Sequence, residues 1–222
     1  MMNKYILNDF EFTVTIDEVL KRFKIDSGDE DEPIVAKMLA DALSVARPKA
    51  MYGVASIDEK GEDYVVIEGK KIINPLIRKN VDKINRIFPY IATCGEEVEA
   101  WSKTLDDEFE QFWADGIKEI ILIKAVIHLA ETVKEQFNIT GYLSKMSPGS
   151  LKEWPISEQT VLFDLIGDVY ESVGVRLTDS FLMLPIKSVS GFYFTSADNF
   201  ENCALCPILK CPGRRAEYKG DV

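Results

Sequence analysis

Apolar residues return every three or four positions between 35 and 46, where Val35, Met38, Leu39, Ala42, Val45 and Ala46 fall on one face. Pro33 stands at a favourable first-turn position and Pro48 lies past the end, so the spacing predicts a helix there. The same period predicts helices over 17–23, 96–104 and about 109–137. Elsewhere the pattern shortens to alternation. Residues 10–15, 50–57, 64–68 and 86–93 read as strands, and the turn Asp58-Glu59-Lys60-Gly61 joins the middle two as a hairpin. Residues 141–155 are rich in Ser, Pro and Gly with little periodicity, which predicts a long loop. Beyond it, Ser157 can cap a helix that buries Val161, Leu162, Leu165, Val169 and Val173 and stops at Gly174. An apolar run over 181–184 is then stopped by Pro185, and a second strand starts at Ser188. In that strand Ser190 and Gly191 are small enough to admit a ligand or another backbone, and Phe192, Tyr193 and Phe194 follow at once. The same stretch also reads as an ordinary hairpin with a glycine bulge and core rings. Hairpins and segregated helices predict an α+β fold with an antiparallel sheet, as a single domain over 1–222.

Composition narrows the class. An apolar content of 46% over 222 residues is enough for one sizeable core. A net charge of -11 argues against nucleic acid, because a backbone-binding protein needs a basic surface to displace counterions. Much of the acid lies at 26–32 and 106–110, each just before a predicted helix, where it complements the positive helix end. The most apolar stretch, 117–130, is interrupted by Lys118, Glu119, Lys124 and His128 and predicts a buried helix, not a membrane span. The N-terminal residues show no long apolar run, so a cytoplasmic protein without a secretory signal is expected.

In a reducing compartment, four cysteines are free, metal-bound or catalytic. Three of them, Cys203, Cys206 and Cys211, sit in one tail over 203–215. The C-x-x-C spacing allows a metal or iron–sulfur cluster, a redox dithiol or an inert tail, and Cys94 or His128 would have to come from afar to complete a four-ligand site. No glycine-rich phosphate loop is present, and one histidine cannot build a His-rich metal centre. A hydrolase triad would have to use His128, which the helical pattern makes a core residue.

Leu177-Thr178-Asp179-Ser180, then Met183-x-Pro185, then Ser188-Val189-Ser190-Gly191-x-Tyr193-Phe194 resemble the S-adenosylmethionine-binding activation domain of cobalamin-dependent methionine synthase. The resemblance is clearest over 141–195. It extends upstream through Lys145-x-x-Pro148-Gly149, where the family carries Arg-x-x-Pro-Gly-Tyr-Pro; here lysine replaces the arginine and Ser150-Leu151 the Tyr-Pro. The resemblance implies that Lys145 meets the carboxylate of S-adenosylmethionine, that Pro148, Gly149, Ser190 and Gly191 line it with backbone, and that Tyr193 lies at the ligand. It also implies a methyltransferase role without a complete active site in this chain: presenting the methyl group for reductive remethylation of cob(II)alamin on a partner chain, with an electron from a flavodoxin or ferredoxin-type donor. The family's Asp-x-His-x-x-Gly cobalt motif is absent, so the corrinoid is expected on the partner. Lys187, Lys210, Arg214 and Arg215 are the basic candidates for docking an acidic donor. A rival expectation keeps the fold but makes the chain a non-catalytic docking module for a corrinoid or redox protein.

Overall fold

The alternating segments assemble into an antiparallel sheet, and the helical ones cover its two faces, in a computed structural model that describes residues 2–150, 153–196, 200–206, 208–210, 214 and 216–219. The strands are β1 (Asn3–Leu7), β2 (Lys49–Lys60), β3 (Tyr64–Ile67), β4 (Lys70–Ile73), β5 (Arg86–Thr93), β6 (Tyr142–Met146), β7 (Arg176–Leu177), β8 (Met183–Leu184) and β9 (Ser188–Ser196). Seven of them form one sheet in the order β4-β3-β2-β5-β9-β6, with β1 on the second edge of β2. β7 and β8 make a separate ribbon.

Helices α1 (Ile16–Phe23), α2 (Glu32–Val45), α3 (Pro75–Asn80), α4 (Glu96–Ser102), α5 (Glu108–Gln136), α6 (Gln159–Ile166) and α7 (Val169–Val173) complete the fold. Strand alternation divides the core. Tyr52, Phe88, Tyr90 and Tyr193 point to the face where α5 lays Ala125, Leu129 and Val133. Met51 and Ile91 meet α6 and α7 on the opposite face, and Phe192 and Phe194 join Trp154 and Leu165 there. The first half of α5 leaves the sheet and packs Trp113, Ile117 and Ile121 against α1, α2 and α4. Local chemistry starts these helices. Thr15 and Glu18 close a reciprocal capping box on α1, and Asp107 accepts from the backbone N–H groups of Phe109 and Glu110 at the head of α5.

Most predicted elements are present; the exceptions have physical reasons. The predicted strand over 10–15 pairs with no strand among the described residues, because Phe10 and Phe12 pack, half-buried, against two different clusters while the chain heads for its cap at Thr15. The predicted loop over 141–155 contains β6. Gly167, at φ 63°, splits the helix expected as far as Gly174 into α6 and α7, and Glu158, not Ser157, is the cap residue. The expected hairpin of 181–184 with the next strand does not form: β8 pairs with β7, and β9 enters the main sheet between β5 and β6.

One ionic cluster ties the helical lobe to the start of β9. Lys118 on α5 is buried and donates to Glu99 Oε2 at 2.8 Å and to Ser102 Oγ at 2.9 Å, both on α4. Asp115, 3.8 Å from Lys118, also holds Lys187 at 2.7 Å, just before β9. Burial of Glu99 opposes ionisation, yet the hydrogen bond and charge of Lys118, helped by Lys103, hold its carboxyl below the ordinary value of 4.5. Removing the ammonium with Lys118→Met leaves a desolvated carboxylate, and urea unfolding is expected to show a loss of about 3–5 kcal/mol at neutral pH. Because the folded value of Glu99 is depressed, its stabilisation is full above the unfolded value and disappears as pH falls through the folded one. Glu99→Gln is therefore expected to flatten the acid limb of the stability curve, below about pH 4.5, leaving its alkaline limb unchanged.

Candidate functional site

The residues singled out by the motif gather on β6, β9 and the turn after β6. Lys145 lies directly across from Tyr193, and Met146 across from Phe192. At that point β6 leaves the sheet, and its last carbonyl passes over Gly191: a Cβ there would overlap Met146 O and come within 2.7 Å of Ser147 Oγ. Only a residue without a side chain lets β6 pass so close and turn into 147–149. Pro148 is buried and Gly149 exposed, with φ 78°. Gly149 N–H donates to Trp154 O at 2.7 Å, which folds the turn onto the Trp154–Phe192 pair.

Two faces of the sheet are involved. Tyr193 is 2% exposed and stacks on Tyr90 with centroids 4.3 Å apart, on the α5 face. Lys145, its cross-strand partner, shares that face and is half-exposed. Ser190 belongs to the other face: its hydroxyl donates to Gln159 Oε1 at 2.9 Å, and Gln159 Nε2 donates to Phe181 O at 2.9 Å, so α6, β9 and the loop before β8 are locked together. The structure thus brings Lys145 to Tyr193 and Gly191 to the 147–149 turn, whereas Ser190 serves the joint with α6. Gln159 is the residue that pattern reading passed over. Its signal was faint, a single amide at the head of an apolar helix.

The cysteines part company. Cys94 is wholly buried among the α1, α2, α4 and α5 side chains, and burial pushes its thiol up to about 12, so it stays protonated in the core. His128 stacks on Phe10 with centroids 4.3 Å apart. Cys203 and Cys206 are free and half-exposed, and Cys211 lies outside the described residues. Among the described residues no group of three His, Cys, Asp or Glu is placed to hold a metal. Of the basic docking candidates, Lys187 is held by Asp115, Arg214 bonds to carbonyls of the tail, Lys210 is exposed and Arg215 lies outside the described residues. A separate cavity of about 270 Å³ opens between α4 and the β7–β8 ribbon, lined by Glu96, Glu99, Lys103, Arg176, Leu184 and Pro185. Apart from Leu184 and Pro185 its residues come from segments that share no motif. Among the described residues no helix is long and apolar enough to cross a membrane.

Residues 145–202 match the family model of the vitamin B12 dependent methionine synthase activation domain. Among solved structures, the crystal structure of the MetH reactivation domain bound to AdoHcy is similar, with a TM-score of 0.65 and 14% identity over 90% of this chain and 80% of that one. No curated protein matches the sequence. The resemblance read from 177–195 is thereby shown, as is the mixed helix and antiparallel-sheet fold. The family match begins at Lys145 and ends one residue before Cys203.

Gly191→Ala must push β6 off β9. Chemical denaturation is expected to show a loss of about 1–3 kcal/mol, with faster amide exchange confined to β6 and the 147–149 turn.

Proposed function

We propose that this chain binds S-adenosylmethionine and presents its methyl group to a cobalamin held by a methionine synthase partner chain, as the activation component in reductive remethylation of cob(II)alamin. The observation that carries the reading is the register of β6 on β9, which sets Lys145 across from Tyr193 and the 147–149 turn over Gly191 inside the family-matched segment. That the structurally similar MetH reactivation domain was crystallised with AdoHcy, the molecule left when S-adenosylmethionine loses its methyl, supports the same ligand class here.

Each residue contributes something a zwitterionic nucleoside needs. The ammonium of half-exposed Lys145 would meet the ligand carboxylate, as a point charge in place of a bidentate fork. Gly149, exposed and in a left-handed conformation, would offer backbone without a side chain in the way. Tyr193 is enclosed, so its part is to hold the strand behind Lys145. When bound, S-adenosylmethionine supplies a methyl group on a sulfonium. Transfer to cobalt needs in-line alignment and one electron from a flavodoxin or ferredoxin-type donor, and it calls for no acid or base from this chain. The chain's task is orientation.

Calorimetry with S-adenosylmethionine is the direct test. Lys145→Ala is expected to weaken binding about ten- to hundredfold, the worth of one charge-assisted hydrogen bond, while Lys145→Arg binds at least as tightly as the native lysine. A native protein that gives no heat at millimolar ligand would overturn the methyl-donor reading and leave the non-catalytic docking module. Recovery of activity by an oxidised corrinoid partner that depends on this chain, the methyl donor and the electron donor tests the rest.

A further inference from the structure

The cavity between α4 and the β7–β8 ribbon carries charges that the fold does not consume. Its volume is about 270 Å³, below the roughly 300 Å³ at which pockets for drug-sized ligands begin, so it suits a small molecule. Of its two acids, Glu99 is buried and already neutralised by Lys118 and Lys103. The exposed side chain of Glu96 has no ion-pair or hydrogen-bond partner among the described residues, and neither has that of Arg176, also exposed. The free carboxylate is nonetheless seated. A Cβ on Gly174, at φ 72°, would stand 2.6 Å from Glu96 Oε2, so only glycine leaves room for it beside the ribbon. Leu184, half-buried, and Pro185, buried, supply an apolar wall.

We propose that this cavity binds a free α-amino acid with an apolar side chain. Arg176 would take the carboxylate with its planar fork, Glu96 the ammonium, and Leu184 and Pro185 the side chain. Charge favours a zwitterion: Lys103 and Arg176 balance Glu96 and Glu99, and a simple anion or cation would leave one of the two lone charges facing its like. Binding would also have a structural effect. Strands β7 and β8 form a two-stranded ribbon of their own, so an occupant bridging Arg176 on β7 to Glu96 on α4 would tie that ribbon to the helical lobe. The site shares no residue with the methyl-donor site and does not rest on it. Tyr193, the partner of Lys145, lies roughly 16 Å along β9 from Ser188, at the end of the strand that Pro185 leads into.

The full chain, isotope-labelled, is titrated with leucine and followed by backbone NMR. Saturable shifts are expected at 96–103 and 174–186 with a dissociation constant of about 1 mM, the strength that solvent-open charged contacts allow. Leucinamide, which lacks the carboxylate, and N-acetyl-leucine, which lacks the ammonium, should each bind about three- to tenfold more weakly, as should glycine, which lacks the apolar arm. Arg176→Gln is expected to bind leucine no better than leucinamide, and Glu96→Gln no better than N-acetyl-leucine. Both residues are exposed, so thermal unfolding should change little. No saturable shift up to about 50 mM leucine, shifts centred on Lys145 and the 147–149 turn, or variants that keep the native ranking of probes would overturn the proposal. Lys145→Ala should leave leucine binding unchanged while weakening S-adenosylmethionine, so the two readings stand or fall separately.

Discussion

The passage of the Met146 carbonyl over Gly191 is the constraint from which the rest of the site follows. It stops β6 at a defined residue, launches the 147–149 turn, and fixes the register in which Lys145 faces Tyr193. Because side chains alternate across a strand, a slip of one residue would carry Lys145 to the α6 face and bring Ser144 in its place. The stacking of Tyr193 on Tyr90 and the clasp of Ser190 by Gln159 secure β9 from opposite faces, so the strand that positions the site cannot roll. A half-exposed lysine is thus located by the buried aromatic and amide contacts of the strand behind it.

Much of the scaffold was legible because period and punctuation agreed there. The β5 strand was read to the residue, and α2 carries Pro33 in its first turn and ends before Pro48, as the prolines indicate. Elements that carry little alternation were not legible. Strand β6 hides in a stretch rich in Ser, Pro and Gly, with Ser144 turned toward the tail as hydrogen-bond acceptor for Phe200 N–H. Strands β1 and β4 are short edge strands whose exposed positions mask the pattern. The run at 181–184 misled because an apolar segment before a proline looks like half of a hairpin, whereas its true partner, β7, lies upstream. For the site, the motif located the right strands, but sequence alone does not say which face each side chain takes. Tyr193 and Ser190, three residues apart in one strand, must take opposite sides, but which of them meets α5 and which α6 is set by the fold alone.

Two lobes meet along α5. Its C-terminal half lies on the sheet with Ala125, Leu129 and Val133, and its N-terminal half belongs to the bundle of α1, α2 and α4. At the junction, Lys118 and Asp115 reach Glu99 and Lys187, so the bundle is joined by charge to the segment feeding β9. Exposed pairs such as Arg22–Glu119 are screened by salt, whereas the Lys118–Glu99 contact is shielded from it.

The tail bears on colloidal behaviour as well. In the main sheet β6 is the last strand, and a terminal strand exposes unpaired amides and carbonyls that invite edge-to-edge association between molecules. Residues 200 and 201 lie along it, Phe200 bonding Ser144 and Glu201 bridging Lys145, and so act as a selvedge that keeps the sheet from fraying into its neighbours. A chain shortened before that point would gain an open margin and, with it, a route to aggregation.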